Sequence, residues 1–529
     1  MKVASRVKRG SLESTVQGLF ISAPYPGDQK FFGQPTGLLY ALSVLADRKL
    51  QKTSSKEIVS VEMPVWAPAG VTDFSNSKLK EELTDYITEH RPKVVGISTF
   101  SASYQNALAI KDLVKKIAPE TLVVFGGAHE DNFVKHYRKN DRIDADLVVA
   151  GDGSHLLDAV YSIVESNPHA TVEEIKQNIY SRREELESLP GTGLLLLETK
   201  TGIESITTNA AEHKRLRKQT LLGALPIMPR YLLQNEDEVS SGFDIFQNPK
   251  EENLKTAQVM VGQGCPYACA FCSEGIGTVW YDDDAPNARE PRRSIEHLEK
   301  ELQELKQEGY EAIFFDDSTF FAKPKKYLAE VLDLLAKYEF RWGCQTTQKS
   351  IHAMKEFLPK MREAGMDYVY IGIEHYSGEI RDNFGKNVRG GVKVSGNVEH
   401  TLSMLEEAEV SVGISLTFGH PDTNSPTQST TETLASARYA IDRTKELIQM
   451  YHNVVGVSCN LVTYHPGTPI SEMFEREVGP VDYTGLPNQS AVYAQFEEGM
   501  GPHAAGLTDS LVNFIANYAA EKFGKKLWM

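Results

Sequence analysis

The chain has 529 residues, 41% of them hydrophobic and 24% charged, and a formal net charge of -16. That length predicts more than one domain, and the composition excludes collagen-like, disordered and membrane-embedded classes. The acidic balance argues against nucleic acid as a main partner, because that binding neutralises phosphates with Lys and Arg. No apolar run reaches the ~20 residues that span a bilayer. The basic start, Met1 to Ser11, is not followed by the apolar core of a signal peptide. A cytoplasmic protein is expected. Five cysteines are sparse, and three fall within eight positions. That pattern suits a metal site in a reducing compartment rather than a disulfide framework.

The first segment alternates strand and helix patterns. Strands are predicted at Gly18 to Ala23, Val59 to Pro64, Lys93 to Ser98, Thr121 to Phe125 and Asp146 to Ala150. Helices are predicted at Leu38 to Leu50, Lys78 to His90 and Ala107 to Ala118. Such alternation implies a doubly wound parallel sheet, whose ligands sit beyond the carboxyl ends of strands. The loops of interest are therefore Ser22 to Gly37, Thr99 to Tyr104, Gly126 to Asn132 and Gly151 to His155. Their glycines also read as tight turns. Residues 166–253 read as a connector, with a short hairpin around Thr199 to Gly202.

From Ala257 the alternation resumes. Strands are expected at Ala257 to Gly262, Ala312 to Phe315, Phe340 to Cys344, Tyr368 to Ile373, Val410 to Phe418 and Val454 to Thr463. Six strand–helix repeats are too few for a closed eight-fold barrel, so a partial six-stranded barrel over 254–478 is predicted. Residues 479–529 are expected to end in a helical cap, with a helix from Leu507 to Phe523. The N-terminal domain is placed at 1–165.

The motif with most chemical content is Gly264-Cys265-Pro266-Tyr267-Ala268-Cys269-Ala270-Phe271-Cys272, a C-x3-C-x2-C loop just after a strand. Four cysteines would close a four-iron cube. Three thiolates from one loop hold three irons and leave the fourth open to chelate a methionine-like ligand. The competing reading is a zinc site with His297 or Cys344 as fourth ligand, but zinc ribbons use two separated C-x2-C pairs and no second pair is present. Cys344 and Cys459 lie on strand patterns and read as small buried hydrophobes.

This loop, with Phe271 as the aromatic before its last cysteine, resembles the radical S-adenosylmethionine (SAM) superfamily over about Ala257 to Phe474. The resemblance implies a [4Fe–4S] cluster on Cys265, Cys269 and Cys272. It implies SAM contacts from Phe271, Asp316 or Asp317, Gln345, Glu374 and Thr417. The segments Phe314 to Phe320, Tyr370 to Glu374, Val412 to Pro421 and Tyr464 to Pro469 carry it beyond the cysteines.

Over about Gly18 to Val164, the segments Pro35 to Tyr40, Val94 to Ser98, Phe125 to His129 and Gly151 to Gly153 resemble the branch of that superfamily with an N-terminal cobalamin (B12) domain. This implies a Rossmann-like cobalamin fold, with Thr99, Ser101, Gly126, Gly127, Gly151 and Gly153 as cofactor contacts. There is one departure. The histidine of a D-x-H-x-x-G motif is replaced in Asp28-x-Lys30-x-x-Gly33. A charged lysine has no lone pair for cobalt.

Together these resemblances imply reductive cleavage of SAM to a 5′-deoxyadenosyl radical and methylation of an unactivated carbon of a small molecule. An external donor of flavodoxin or ferredoxin type would supply the electron. The alternatives are a radical cyclase or rearrangement enzyme without net methyl transfer, and a non-catalytic iron–sulfur carrier or sensor.

Overall fold

The computed structural model describes residues 17–24, 34–68, 74, 77–131, 143–191, 193–208, 221–241, 245–248, 250, 252–262, 265, 267, 269–272, 292–383, 388–389, 392–393, 397–419, 434–462, 465, 468–478, 517–523 and 527–528. Two compact units divide the chain at Gly242 and Phe243.

The first unit holds a seven-stranded sheet in the order β2-β1-β3-β4-β5-β6-β7. Its strands are β1 (Gly18–Ser22), β2 (Val65–Trp66), β3 (Val94–Ser98), β4 (Leu122–Gly126), β5 (Leu147–Gly151), β6 (Gly193–Thr199) and β7 (Gly202–Thr207). The first five are parallel. Their short Val- and Ile-rich runs are buried on both faces, as parallel strands covered by helices must be.

Two expectations change here. The predicted strand at Val59 to Pro64 is mostly helix, Lys56–Glu62. Ser55 caps it by accepting from Ile58 N, and Glu62 turns inward to meet Lys49 at 3.0 Å. That ion pair lets a charged side chain sit on a buried helical face, and the strand moves on to Val65–Trp66. The 166–253 segment is also more than a connector. Its hairpin, turning at Thr199 to Gly202 as expected, pairs antiparallel with β5 and completes the sheet.

The second unit holds another seven-stranded sheet. Its strands are β8 (Thr256–Val259), β9 (Ala312–Phe315), β10 (Arg341–Thr346), β11 (Met366–Glu374), β14 (Ser411–Phe418), β15 (Val454–Leu461) and β16 (Leu527–Trp528). A small hairpin, β12 (Val388–Arg389) and β13 (Val392–Lys393), stands apart. Every pairing in the large sheet is parallel, and the order β16-β15-β14-β11-β10-β9-β8 puts β8 and β16 at its edges among the described residues. It is an open barrel of six strand–helix repeats plus one strand. The sequence pattern missed β16, because two residues carry no periodicity. Of the helix expected at Leu507 to Phe523, residues 517–523 are described and are helical.

The two faces of this sheet differ. Val369, Ile371, Ile373, Val412, Ile414 and Leu416 join one apolar core with Leu298, Leu302, Leu328, Leu335, Leu402 and Ile441 from the helices. Each such side chain contributes about 1.5–3 kcal/mol by burial. The alternate strand residues face the other way. There Ala312, Phe314 and Tyr368 pack with Phe246 and Leu254 in a separate apolar plug.

Candidate functional site

Each unit presents its parallel strand ends to a different set of side chains. In the second unit, the cysteine loop follows β8. Cys269 is buried, while Cys265 and Cys272 are half-buried. Cys272 N donates to Cys269 O at 3.0 Å, closing a turn between two of the cysteines. Ile470 N donates to Ala270 O at 3.2 Å and ties the loop to the start of the helix Pro469–Val478. Tyr267 is buried, and its hydroxyl lies 3.1 Å from Ser350 Oγ. Aromatic and backbone anchors thus hold the loop from both sides.

The other two cysteines pack into or against the apolar core. Cys344 is fully buried in the apolar core. Burial and the nearby Asp317 carboxylate push its pKa well up. Burial pushes Cys459 up to about 12. A thiolate is the ligating form, so both stay thiols. Among the described residues, no group of three or more His, Cys, Asp or Glu side chains is gathered around a single metal-ion position. The donor set is three thiols on one anchored loop, which matches a cluster with one iron left open.

The expected SAM contacts separate into three kinds. Asp317 is buried at the end of β9. Its Oδ2 accepts from Val261 N at 2.9 Å, and it pairs with Lys323 at 2.9 Å. Its carboxylate is committed to the protein itself. Asp316, next to it, is half-buried, so it is the member of the pair left facing outward. Gln345 on β10 is half-buried and lies beside Tyr370 in the strand register. Phe271 is half-buried in the cysteine loop.

Glu374 and Thr417 come together. Thr417 Oγ1 donates to Glu374 Oε2 across β11 and β14. Glu374 is 7% exposed and has φ +63°. A non-glycine residue in that left-handed region costs about 1–3 kcal/mol unless its surroundings impose it. The β11–β14 register slips between Gly372 and Glu374. This bulge re-aims the carboxylate, as bulges beside sites commonly do.

A polar layer escaped the sequence reading. The Tyr370 hydroxyl is hydrogen-bonded to Ser458 Oγ. Asn460 Nδ2 donates to Ser458 Oγ at 3.0 Å and to Ser415 Oγ at 3.3 Å. Burial raises the Tyr370 pKa against these hydroxyl bonds, so the phenol stays neutral. The alternation Ser458-Cys459-Asn460, polar-apolar-polar, was the available signal.

His375 is similarly neutral. Its Nε2 donates to Ser436 O at 3.2 Å, and its Nδ1 accepts from Ser377 N at 2.9 Å. Burial lowers its pKa to about 4.

In the first unit, Ser22, Ser98 and Gly126 form the last register row across β1, β3 and β4. No side chain in that row exceeds a hydroxymethyl, so an elongated group can lie along this edge. The glycines beyond it have packing reasons of their own. A Cβ on Gly126 would meet Val149 O at 2.9 Å, and one on Gly153 would meet Val149 Cγ1 at 2.2 Å. Gly127 has φ +106°, and its Cβ would meet Thr99 O at 2.7 Å. Gly151 N donates to Asp131 Oδ1 at 2.6 Å.

Thr99 is fully buried, with its Oγ1 3.1 Å from Gly126 O and 3.2 Å from Glu130 Oε1. Ser101 Oγ lies 3.1 Å from His129 Nδ1, and the His129 ring stacks on Tyr104 at 4.0 Å. The row of small side chains fits a cobalamin tail. Thr99 and the glycines lie at the end of that row. Asp28, Lys30 and Gly33 lie outside the described residues.

Comparison with known proteins follows this division. The family model of the radical SAM superfamily matches residues 259–393. That of the B12 binding domain matches residues 67–161. An uncharacterized methyltransferase of Pyrococcus horikoshii is 26% identical over 314 residues, 58% of this chain and 57% of that protein. An anaerobic magnesium-protoporphyrin IX monomethyl ester cyclase of Cereibacter sphaeroides is 23% identical over 353 residues, 65% of this chain and 50% of that protein. This chain therefore spans little more than half the length of these curated relatives. Among solved structures, the radical SAM methyltransferase TsrM from Kitasatospora setae, with cobalamin and [4Fe-4S] cluster bound, has a TM-score of 0.56 at 16% identity. That match covers 88% of this chain and 79% of that one.

Proposed function

We propose that this chain, which joins a B12-binding domain to a radical SAM domain, is a cobalamin-dependent radical SAM methyltransferase acting on an unactivated carbon of a small molecule. The observation that carries the reading is three thiols on one anchored loop, with Cys344 buried in the apolar core and Cys459 packed against that core. When bound, the cluster would supply an electron to the SAM sulfonium and the cobalamin a methyl group.

The protein's own residues supply the rest. Cys265, Cys269 and Cys272 would hold the cluster. Asp316, half-buried beside its buried neighbour, would accept from the ammonium of SAM. Glu374, aimed by the bulge and held by Thr417, would take hydroxyl or ammonium donors. Gln345 and Phe271 would line the same side. Thr99, Ser101, Gly126, Gly127, Gly151 and Gly153 would border the cobalamin. The uncharged layer of Tyr370, Ser415, Ser458 and Asn460 offers hydrogen bonds without a fixed charge, which suits neutral polar groups. An external flavodoxin- or ferredoxin-type protein would deliver the electron.

The test is anaerobic reconstitution with iron, sulfide, cobalamin and a reductant. SAM should then be converted to 5′-deoxyadenosine, and a true substrate should gain one carbon. The second reading, cyclisation without methyl transfer, draws on the similarity to the Cereibacter sphaeroides cyclase. In that case 5′-deoxyadenosine forms and the product gains no carbon. A sample that binds iron and SAM but yields no 5′-deoxyadenosine with any reductant would refute both.

A further inference from the structure

Among the described residues β8 is an edge strand of the second sheet and pairs with β9 alone. Its ladder ends where Asp316 N donates to Val259 O at 2.9 Å. The next two residues, Met260 and Val261, lead straight to the cysteine loop, and Cys265 is four positions past Val261. Among the described residues no named strand continues beside them, and a single antiparallel bridge joins Gly262 to Arg292. Buried backbone groups still need partners, and here two charged side chains and one backbone N–H provide them. Val261 N donates to Asp317 Oδ2 at 2.9 Å. Arg293 N donates to Val261 O at 2.9 Å, and Arg293 Nη1 donates to Met260 O at 3.2 Å.

Both charges are compensated. Asp317 pairs with Lys323, and Arg293 pairs with Glu301, and all four side chains are fully buried. Arg293 is further aimed by its Nε, which donates to His297 Nδ1 at 3.0 Å. Buried ion pairs add little net stability, because desolvation offsets their attraction, and apolar replacements are often as stable. Two such pairs converge on the same two backbone residues. Their return lies in geometry.

We infer that Asp317–Lys323 and Arg293–Glu301 are positioning residues. They form a clamp that sets the direction in which the chain leaves β8, so that the cysteine loop is aimed before any cluster is inserted. This rests on reading the loop as a cluster site. Asp317 thereby acts through the backbone of Val261 rather than by touching SAM. Partners outside the ligand set commonly tune a metal site in this way.

Two double variants of the full chain separate geometry from charge. Asp317→Asn/Lys323→Met and Asp317→Leu/Lys323→Met both remove the ion pair, but only the first keeps an acceptor for Val261 N–H. The Asn variant should retain iron against a chelator as the unsubstituted chain does, and its reduced cluster should show the same change in electron paramagnetic resonance on adding SAM. The Leu variant should lose iron roughly tenfold faster or more, and that spectral change should be lost. Equal iron retention and equal spectra in the two variants would overturn the clamp.

A second measurement needs no substitution. In the unsubstituted chain without a cluster, the Val261 amide should exchange hydrogen as slowly as the amides of β9. Loop-like exchange until the cluster is inserted would also overturn the clamp. If the unsubstituted chain binds no iron–sulfur cluster, the cluster reading fails, whereas the exchange experiment still judges the clamp.

Discussion

The two sheets solve the same problem by opposite means. Both end parallel strands on loops able to hold a ligand. In the first unit the edge is built of small residues, Ser22, Ser98, Gly126 and Gly127, packed backbone against backbone. In the second it is built of thiols on an anchored loop, a carboxylate held by Thr417 and a phenol bonded to Ser458. One edge offers shape and the other offers chemistry. A group held by shape needs a groove of the right width, whereas a reacting group needs donors at set positions.

The sharpest way to break this contrast lies in the cysteines. Replacing Cys265, Cys269 and Cys272 together with Ala should abolish bound iron and all 5′-deoxyadenosine. Cobalamin uptake should stay as it was, because the proposed cobalamin contacts all lie in the other unit. Cys344→Ala should leave iron unchanged and cost only about 1 kcal/mol of stability from lost packing. Iron analysis and thermal melts read both results. Loss of iron in Cys344→Ala would show that the fourth thiol matters after all.

Acid should separate the units next. Burial lowers the pKa of both His375 and His465 from 6.5 to about 4, and both lie in the second unit. Their unfolded forms take up protons first as pH falls. The stability tied to their neutral forms is complete above pH 6.5 and is lost as pH falls toward 4, on the order of 3 kcal/mol each at the acid end. In the first unit, burial pushes Glu165 up, but hydrogen bonds from Lys49 and Arg48 outweigh it and hold its pKa below 4.5. That contribution is complete above pH 4.5 and is lost only below it. Hydrogen exchange across this range should therefore show β11 opening before β3, and the reverse order would contradict the assignment.

A smaller effect than the cysteine or acid results should come from the shape-built edge. Gly127→Ala must place a Cβ at φ +106° and 2.7 Å from Thr99 O. It should cost about 1–3 kcal/mol, with reduced cobalamin uptake and unchanged iron. A melt of the variant with and without cobalamin, set beside its iron content, tests this.

Much of the second site was legible in the sequence because reactive residue types announce themselves. The spacing of Cys265, Cys269 and Cys272 named the chemistry, and Glu374 and Thr417 were picked out at strand ends that prove to be neighbours. The division of labour between Asp316 and Asp317 was not legible. Adjacent aspartates look alike until Val261 and Lys323 are in place around one of them. The layer around Tyr370 escaped for the same reason. Serine and asparagine carry no chemistry that marks a site by itself, and only register brings Ser458, Asn460 and Ser415 to one phenol.

The sequence by itself determined the alternation of strand and helix, the two-part organisation and the three-thiol loop. These depend on local periodicity and on which atoms a side chain carries. Tertiary structure alone decided that the Thr199 to Gly202 hairpin completes the first sheet and that Leu527–Trp528 joins the second. It alone decided that Glu374 sits at a bulge with positive φ. Strand pairing, burial and charge compensation are set by residues far apart in the chain, and their energies exist only once those residues meet.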